Sequence, residues 1–259
     1  ETALVNFLNG GEAKPTFGAR PFERGVRRAP TLVQNVETLA HLGLIARHGP
    51  DWFRRVGTRE DPGSALITLS GAVERPGVYE IEHGAPLAEA LHTAGVLEPL
   101  SAVLFGGYFG SWLPASQIPA IKLSPRSLAG AGASFGAGVV VALGRSACPV
   151  AETTRVADYL ARESAGQCGP CVNGLGAFAD TIQQLASGTA PRHAWRDLVR
   201  WSREVPGRGA CQYPDGAVRF LTSALRVFAD EFNAHARHGA CERCSRRPTL
   251  PAPAVAAAR

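Results

Sequence analysis

The residues best equipped for chemistry in this chain are its six cysteines. Cys168 and Cys171 lie in Glu163-Ser-Ala-Gly-Gln-Cys-Gly-Pro-Cys171, and Cys211 follows forty positions after Cys171. Cys241-Glu-Arg-Cys244 repeats the C-x2-C spacing, and Cys148 precedes Pro149. Two chemistries are open to Cys168-Gly-Pro-Cys171. One is a redox dithiol, which needs a strand just before the first cysteine and a helix N-terminus to lower its thiol pKa. The other is iron–sulfur ligation, in which thiolates hold iron and a tight loop leaves backbone N–H groups free for the cluster sulfides. The residues before the motif, Thr154 to Ser164, place Val156, Tyr159 and Leu160 on one helical face, so no strand leads in. That favours the cluster. Cys211, after Pro-Gly-Arg-Gly and just before the last helix, would close such a site from a second element.

The elements that must position these thiols follow from periodicity. Residues 1–9 read as helix, and Gly10, Gly11, Pro15, Gly18 and Pro21 as loop. A helix with Asn35 as N-cap follows, with Leu39, Leu42 and Ile45 at helical spacing, and Gly49-Pro50 ends it. Ala65–Gly71 and Gly77–Ile81 read as strands around a Glu74-Arg-Pro-Gly turn, Pro86–Gly95 as a short helix, and 103–113 and 138–143 as further strands. This is a compact α+β unit of the β-grasp kind. From residue 150 four helices are expected, at about 151–164, 172–187, 192–203 and 214–237, joined by short connections into an antiparallel bundle. The last carries Val218, Leu221, Leu225, Phe228 and Phe232 as an apolar stripe. The tail from 245 is low in complexity and is expected to be disordered.

Composition excludes several classes. With 45% hydrophobic and 19% charged residues the chain has material for sizeable cores. A net charge of +5 is spread over scattered arginines, with no long Lys/Arg run, so no nucleic-acid partner is expected. No run of 18 apolar residues exists, so no direct membrane insertion is expected and the location is read as cytoplasmic. Six cysteines in 259 residues are too few for a disulfide scaffold. With no methionine at all, the chain is expected to be a piece of a longer or processed protein.

Glu163-Ser-Ala-Gly-Gln-Cys-Gly-Pro-Cys171 resembles the E-S-C-G-x-C-x-P-C motif of the flavin-bearing NADH dehydrogenase subunit of complex I, the NuoF or 51-kDa family. Glu1-Thr-Ala-Leu resembles the end of that family's G-E-E-T-A-L. Pro30-Thr-Leu-Val-Gln-Asn-Val-Glu-Thr-Leu-Ala resembles its P-T-x-x-N-N-V-E-T-L-A, and Leu69-Ser-Gly-Ala-Val-Glu-Arg-Pro-Gly-Val-Tyr-Glu the start of its SLBB domain. The resemblance spans residues 1 to about 237. It implies three units: residues 1–58 as the C-terminal part, a remnant, of an FMN-binding α/β domain, 63–147 as an SLBB β-grasp domain, and 148–237 as a helical iron–sulfur domain, a four-helix bundle, before a flexible tail at 238–259. It further implies Cys168, Cys171 and Cys211 as ligands of a 4Fe-4S or 3Fe-4S cluster, and Glu1, Gln34, Asn35 and Thr38 on the flavin side. Electrons would pass from NADH via FMN to the cluster and then to a ferredoxin-like acceptor, with other NADH dehydrogenase-type subunits as further partners. FMN and NADH enter only if the Gly-rich loop that holds their phosphates, which the family carries upstream of Glu1, is present.

Two departures keep alternatives open. Gln34 replaces the first Asn of the family pair, and helix capping is the alternative reading of Asn35 and Thr38. Ala165 stands where the first cluster cysteine is expected, and a methyl group cannot ligate iron. The outcomes are a three-iron cluster, a four-iron cluster with another fourth ligand, or no cluster, the last describing a non-redox interaction homologue. Cys241 and Cys244 would supply a substitute ligand by folding back, or else form a tail pair that is free or binds zinc transiently. Cys148 is expected as a small buried hydrophobe. His41, His83, His92, His193, His235 and His238 show no metal spacing and are expected at the surface or in caps. The aromatics of Gly106-Gly-Tyr-Phe-Gly-Ser-Trp112 are expected to mark tight packing rather than a ligand. Arg162 and Arg208 flank the cysteines and would either tune a cluster or be solvated.

Overall fold

The computed structural model describes residues 1–16 and 18–251. The chain opens with three short helices, α1 (Thr2–Leu8), α2 (Val36–His48) and α3 (Pro50–Phe53). Asn35 caps α2, its side-chain oxygen accepting from the Glu37 N–H at 2.8 Å. The Glu37 carboxylate in turn accepts from the Leu66 N–H, tying α2 to the sheet. The expected apolar face of α2 forms, yet it is exposed: Leu39 and Leu42 are more than half accessible, as are Leu4, Phe7 and Leu8 of α1.

A five-stranded mixed sheet follows. β1 (Ser64–Gly71) and β2 (Gly77–Glu82) form one antiparallel hairpin, and β3 (Leu100–Phe105) and β4 (Ser111–Pro114) another. α4 (Leu87–Ala94) connects the hairpins, α5 (Pro125–Gly130) follows β4, and β5 (Val139–Gly144) enters the middle of the sheet, parallel to β1 and antiparallel to β3. The order β2-β1-β5-β3-β4 is the β-grasp arrangement. The 103–113 stretch expected to be extended is broken in two. Gly106 and Gly107 take φ of +81° and +76°, and a Cβ on Gly110 would sit 1.6 Å from the Phe105 carbonyl oxygen. The glycines therefore turn the chain back on itself.

Strand alternation divides two cores. On β3, Val103 and Phe105 face α4 and α5, together with Ile67, Leu69 and Leu113. Ala102 and Leu104 face the other way, with Trp112, Val141 and Leu143, onto the helices. Those helices are α6 (Pro149–Arg162), a π-helical turn at Pro170–Leu175 running into α7 (Gly176–Ser187), α8 (Ala194–Glu204), α9 (Tyr213–Val227) and α10 (Ala229–His238). The fourth expected helix is thus two, broken at Phe228, whose ring is buried edge-on against Trp112. All five residues of its apolar stripe are buried. The aromatics of the glycine-rich turn bind sheet to bundle: Tyr108 packs on Tyr159 and Phe220, Phe109 on Tyr213, and Trp112 on Phe220 and Phe228. A fully buried ring such as Phe220 or Phe228 stabilises by about 1.5–3 kcal/mol, and the part-exposed Phe109 by less.

The tail differs from expectation. Residues 239–251 are docked, and the reason is a buried carboxylate. Glu152 on α6 accepts from the Thr249 and Leu250 N–H groups at 2.8 and 3.0 Å and pairs with Arg155, which also donates to the Leu250 carbonyl. Leu250 fills the bundle core at 1% exposure. The rest of the low-complexity tail, 252–259, lies outside the described residues. No helix among the described residues is long and apolar enough to cross a membrane.

Candidate metal centre

Helix α6 carries one group of cysteines at each end. At its C-terminus the chain leaves the helix at Glu163 and turns through Gly166, at φ +62°, into Cys168-Gly-Pro-Cys171. Pro170 opens the π-helical turn, where its missing N–H costs nothing. The Cys168 carbonyl accepts from the Cys171 and Val172 N–H groups at 3.1 and 3.0 Å, which closes the loop. A helix, not a strand, precedes the motif, so the arrangement a redox dithiol requires is missing.

Cys211 comes to this loop because α9 starts there. The Tyr213 hydroxyl donates to the Leu160 carbonyl at 2.9 Å, pinning the first turn of α9 to the last turn of α6. Asp215 accepts from the Gly207 N–H and folds the preceding loop inward. Gly209 is tight against its neighbours: a Cβ there would lie 2.7 Å from the Cys211 carbonyl oxygen.

Cys168, Cys171 and Cys211 then line one cavity of about 430 Å³, with Ala165, Glu163, Ser164 and Tyr213 on its walls. The N-terminal loop forms the outer wall through Lys14 and Pro15, held by the Gln167 amide donating to the Pro15 carbonyl at 2.6 Å. The Ala210 N–H holds the Cys168 thiol below its ordinary value. Burial, followed by the adjacent Cys168, pushes the Cys171 thiol up to about 11. Cys171 is buried while Cys168 and Cys211 are half-exposed, so the cavity opens to solvent. The donor set offers three convergent thiols, which suits three corners of an iron–sulfur cluster. Ala165 lines the same cavity but brings only a methyl, with the oxygen donors Glu163 and Ser164 beside it.

Other expected residues fall elsewhere. Glu1, Gln34, Asn35 and Thr38 are all exposed, and the Asn35 carboxamide oxygen is engaged as the cap of α2. Arg162 pairs with Asp158 on its own helix. Cys241 and Cys244 do not reach the loop; they lie with Cys148 at the opposite end of α6, about 21 Å away along a helix of 14 residues. The fold-back that would complete the Cys168 site is therefore corrected.

His235, expected at the surface, is 2% exposed and belongs to that second group, while Cys148 is buried as expected and lies in the same group. The signal that could have found them is His235-x5-Cys241-x2-Cys244, a ligand-like spacing masked by the distance of Cys148 in sequence.

Comparison with known proteins bears on both the sheet and the bundle. Residues 151–235 match the NADH-ubiquinone oxidoreductase-F iron-sulfur binding region, and residues 66–102 match the SLBB domain. The second F-type NADH-quinone oxidoreductase subunit of Rhizobium meliloti (strain 1021) is 33% identical over 246 residues, covering 93% of this chain and 58% of the relative. Its F-type counterpart in the NADH-quinone oxidoreductase of Mycobacterium tuberculosis (strain ATCC 25618 / H37Rv) is 31% identical over 244 residues, covering 93% and 55%. The chain thus spans a little over half the length of these curated relatives. A chain in the crystal structure of NAD+-reducing [NiFe]-hydrogenase in the H2-reduced state superposes with a TM-score of 0.84 at 29% identity, over 92% of this chain and 41% of the other. The chain thus carries the SLBB and iron–sulfur binding regions and is similar over most of its length to the NuoF subunits of NADH-quinone oxidoreductases.

Proposed function

We propose that this protein transfers electrons within an NADH dehydrogenase-like flavin/iron–sulfur module, with Cys168, Cys171 and Cys211 holding the cluster. The observation that carries the reading is the convergence of these three thiols on one solvent-facing cavity inside the iron–sulfur binding region. An iron–sulfur cluster supplies reversible one-electron storage there. The chain's own residues do the rest. Three thiolates bind; the Ala210 N–H stabilises negative charge on Cys168; Tyr213 and Asp215 hold the two walls together. Lys14 stands at the rim with its charge paired to Glu12 at 2.8 Å. Ala165 leaves one corner without a thiolate, so a cluster here has three cysteine ligands, and Glu163 and Ser164 are the nearby oxygen donors.

The upstream donor in this reading is NADH through FMN, in a protein that includes a Gly-rich phosphate loop. Glu1, Gln34, Asn35 and Thr38 are the flavin-side residues, on the support of resemblance. The exposed apolar faces of α1 and α2 are where further protein would pack. The partners are other NADH dehydrogenase-type subunits and a ferredoxin-like acceptor, and the location is cytoplasmic. Anaerobic reconstitution with iron and sulfide counting and EPR tests the cluster. Iron and labile sulfide in near-equal amounts, lost in Cys168→Ser and Cys211→Ser, are expected. An iron-free protein with three alkylatable thiols would instead identify a non-redox homologue.

A further inference from the structure

We propose that Cys148, His235, Cys241 and Cys244 form a mononuclear, tetrahedral zinc site that fastens the segment after α10 to the start of α6. It is separate from the Cys168 loop and does not depend on that loop holding a cluster.

The four donor atoms lie within 4.8 Å of one another. Cys241 Sγ to Cys244 Sγ is 3.6 Å, Cys244 Sγ to Cys148 Sγ 3.5 Å, Cys148 Sγ to His235 Nε2 3.5 Å, and Cys244 Sγ to His235 Nε2 3.9 Å. A zinc tetrahedron with ordinary bond lengths has edges of about 3.8 Å between sulfurs and about 3.6 Å between sulfur and nitrogen. These four edges fall close to those values, and the two from Cys241 to Cys148 and His235 are within 4.8 Å. Sulfurs one tetrahedral edge apart enclose a single ion; a polynuclear cluster must fit between its ligands and spreads them wider. They are also well beyond bonding distance, and all six cysteines are free thiols.

The imidazole is oriented for ligation. His235 Nδ1 lies 3.1 Å from the Ala186 carbonyl, which can only accept, so the ring proton sits on Nδ1 and the Nε2 lone pair faces the sulfurs. The Ala151 N–H donates to Cys148 Sγ at 3.5 Å. Three thiolates and one imidazole, without a carboxylate, select a borderline-soft ion over calcium or magnesium. With four protein ligands there is no open position for substrate, so the role is structural.

The site closes a seam. Its ligands come from the N-cap of α6, from α10 and from the single 3-10 turn after it. Arg243, between the two tail cysteines, donates to the Arg145 and Ala147 carbonyls at the end of β5. The ion thus joins the sheet's exit, the first helix of the bundle and the docked tail. Binding expels a proton from each thiol that is neutral beforehand.

Zinc and iron counted on the same samples of the full chain test the inference. About one zinc per chain is expected, in iron-loaded and iron-free preparations alike. Cys148→Ser, His235→Ala and Cys244→Ser should each lose it and keep their iron. Cys168→Ser and Cys211→Ser should lose iron and keep their zinc. Cobalt in place of zinc gives a measurement on the unaltered protein: an intense tetrahedral d–d spectrum with a thiolate charge-transfer band is expected. A wild-type protein whose Cys148, Cys241 and Cys244 all alkylate freely, with no zinc after anaerobic supplementation, would overturn the site. So would zinc retained in His235→Ala and Cys148→Ser together, iron as the resident ion, or a weak octahedral cobalt spectrum.

Discussion

Tyr213→Phe isolates the contact that assembles the Cys168 cavity. The substitution keeps the ring, its edge-on packing against Phe109 at 5.0 Å and its volume, and deletes only the hydroxyl that donates to Leu160 at 2.9 Å. A net hydrogen bond contributes about 0.5–1.5 kcal/mol, and an orphaned acceptor raises the cost when water cannot reach it. The Leu160 carbonyl lies in the last turn of α6, beside a half-buried tyrosine, so water partly replaces the donor and the cost is about 1 kcal/mol. With a urea slope of about 2–3 kcal/mol/M, the midpoint of the metal-free protein should fall by about 0.3–0.5 M. A factor of about five in the opening equilibrium follows from the same energy. In reconstituted protein, cluster loss to a chelator should therefore quicken about five-fold if opening of this wall limits it. An unchanged midpoint with an unchanged slope would show that Tyr213 does not hold α9 to α6. A lowered midpoint with an unchanged release rate would show that the wall is not the route of cluster loss.

Other outcomes follow from the same contacts. Glu152→Gln puts an amide N–H₂ against at least one of the two N–H groups that the carboxylate now accepts; the tail should undock at a cost of about 2–4 kcal/mol, read as lost hydrogen-exchange protection at Thr249 and Leu250. Trp112→Ala should cost about 3 kcal/mol in urea unfolding, the lower end for a buried aromatic, because the indole N–H has no partner among the described residues and its removal offsets part of the cavity. Burial pushes the Tyr108 phenol up to about 12. A raised folded value means stability is complete below the unfolded value near 10 and is lost as pH rises towards 12. Discounted for a half-exposed ring, that loss is about 1 kcal/mol, and Tyr108→Phe should remove it from the alkaline stability profile.

Legibility differed from one part of the chain to another. Strand periods, the Pro76-Gly77 turn and the stripe from Val218 to Phe232 were readable, because they report local geometry and one buried face. The break at Phe228 was not, and there the ring packs edge-on against Trp112, which is distant in sequence. Nor was the docked tail: Leu250 and its neighbours look like low-complexity chain until Glu152 supplies their acceptors. The exposed faces of α1 and α2 show the converse, an apolar pattern that is correct without being covered among the described residues.

By itself the sequence determined the β-grasp and helical succession, the C-x2-C loop with its distant Cys211, and the gap at Ala165. These rest on spacing along the chain, which local geometry carries into the fold. Only the tertiary structure decided that Cys241 and Cys244 belong with Cys148 and His235 rather than with Cys168. A helix of 14 residues separates the two groups, and no local pattern encodes which of its ends a tail will reach.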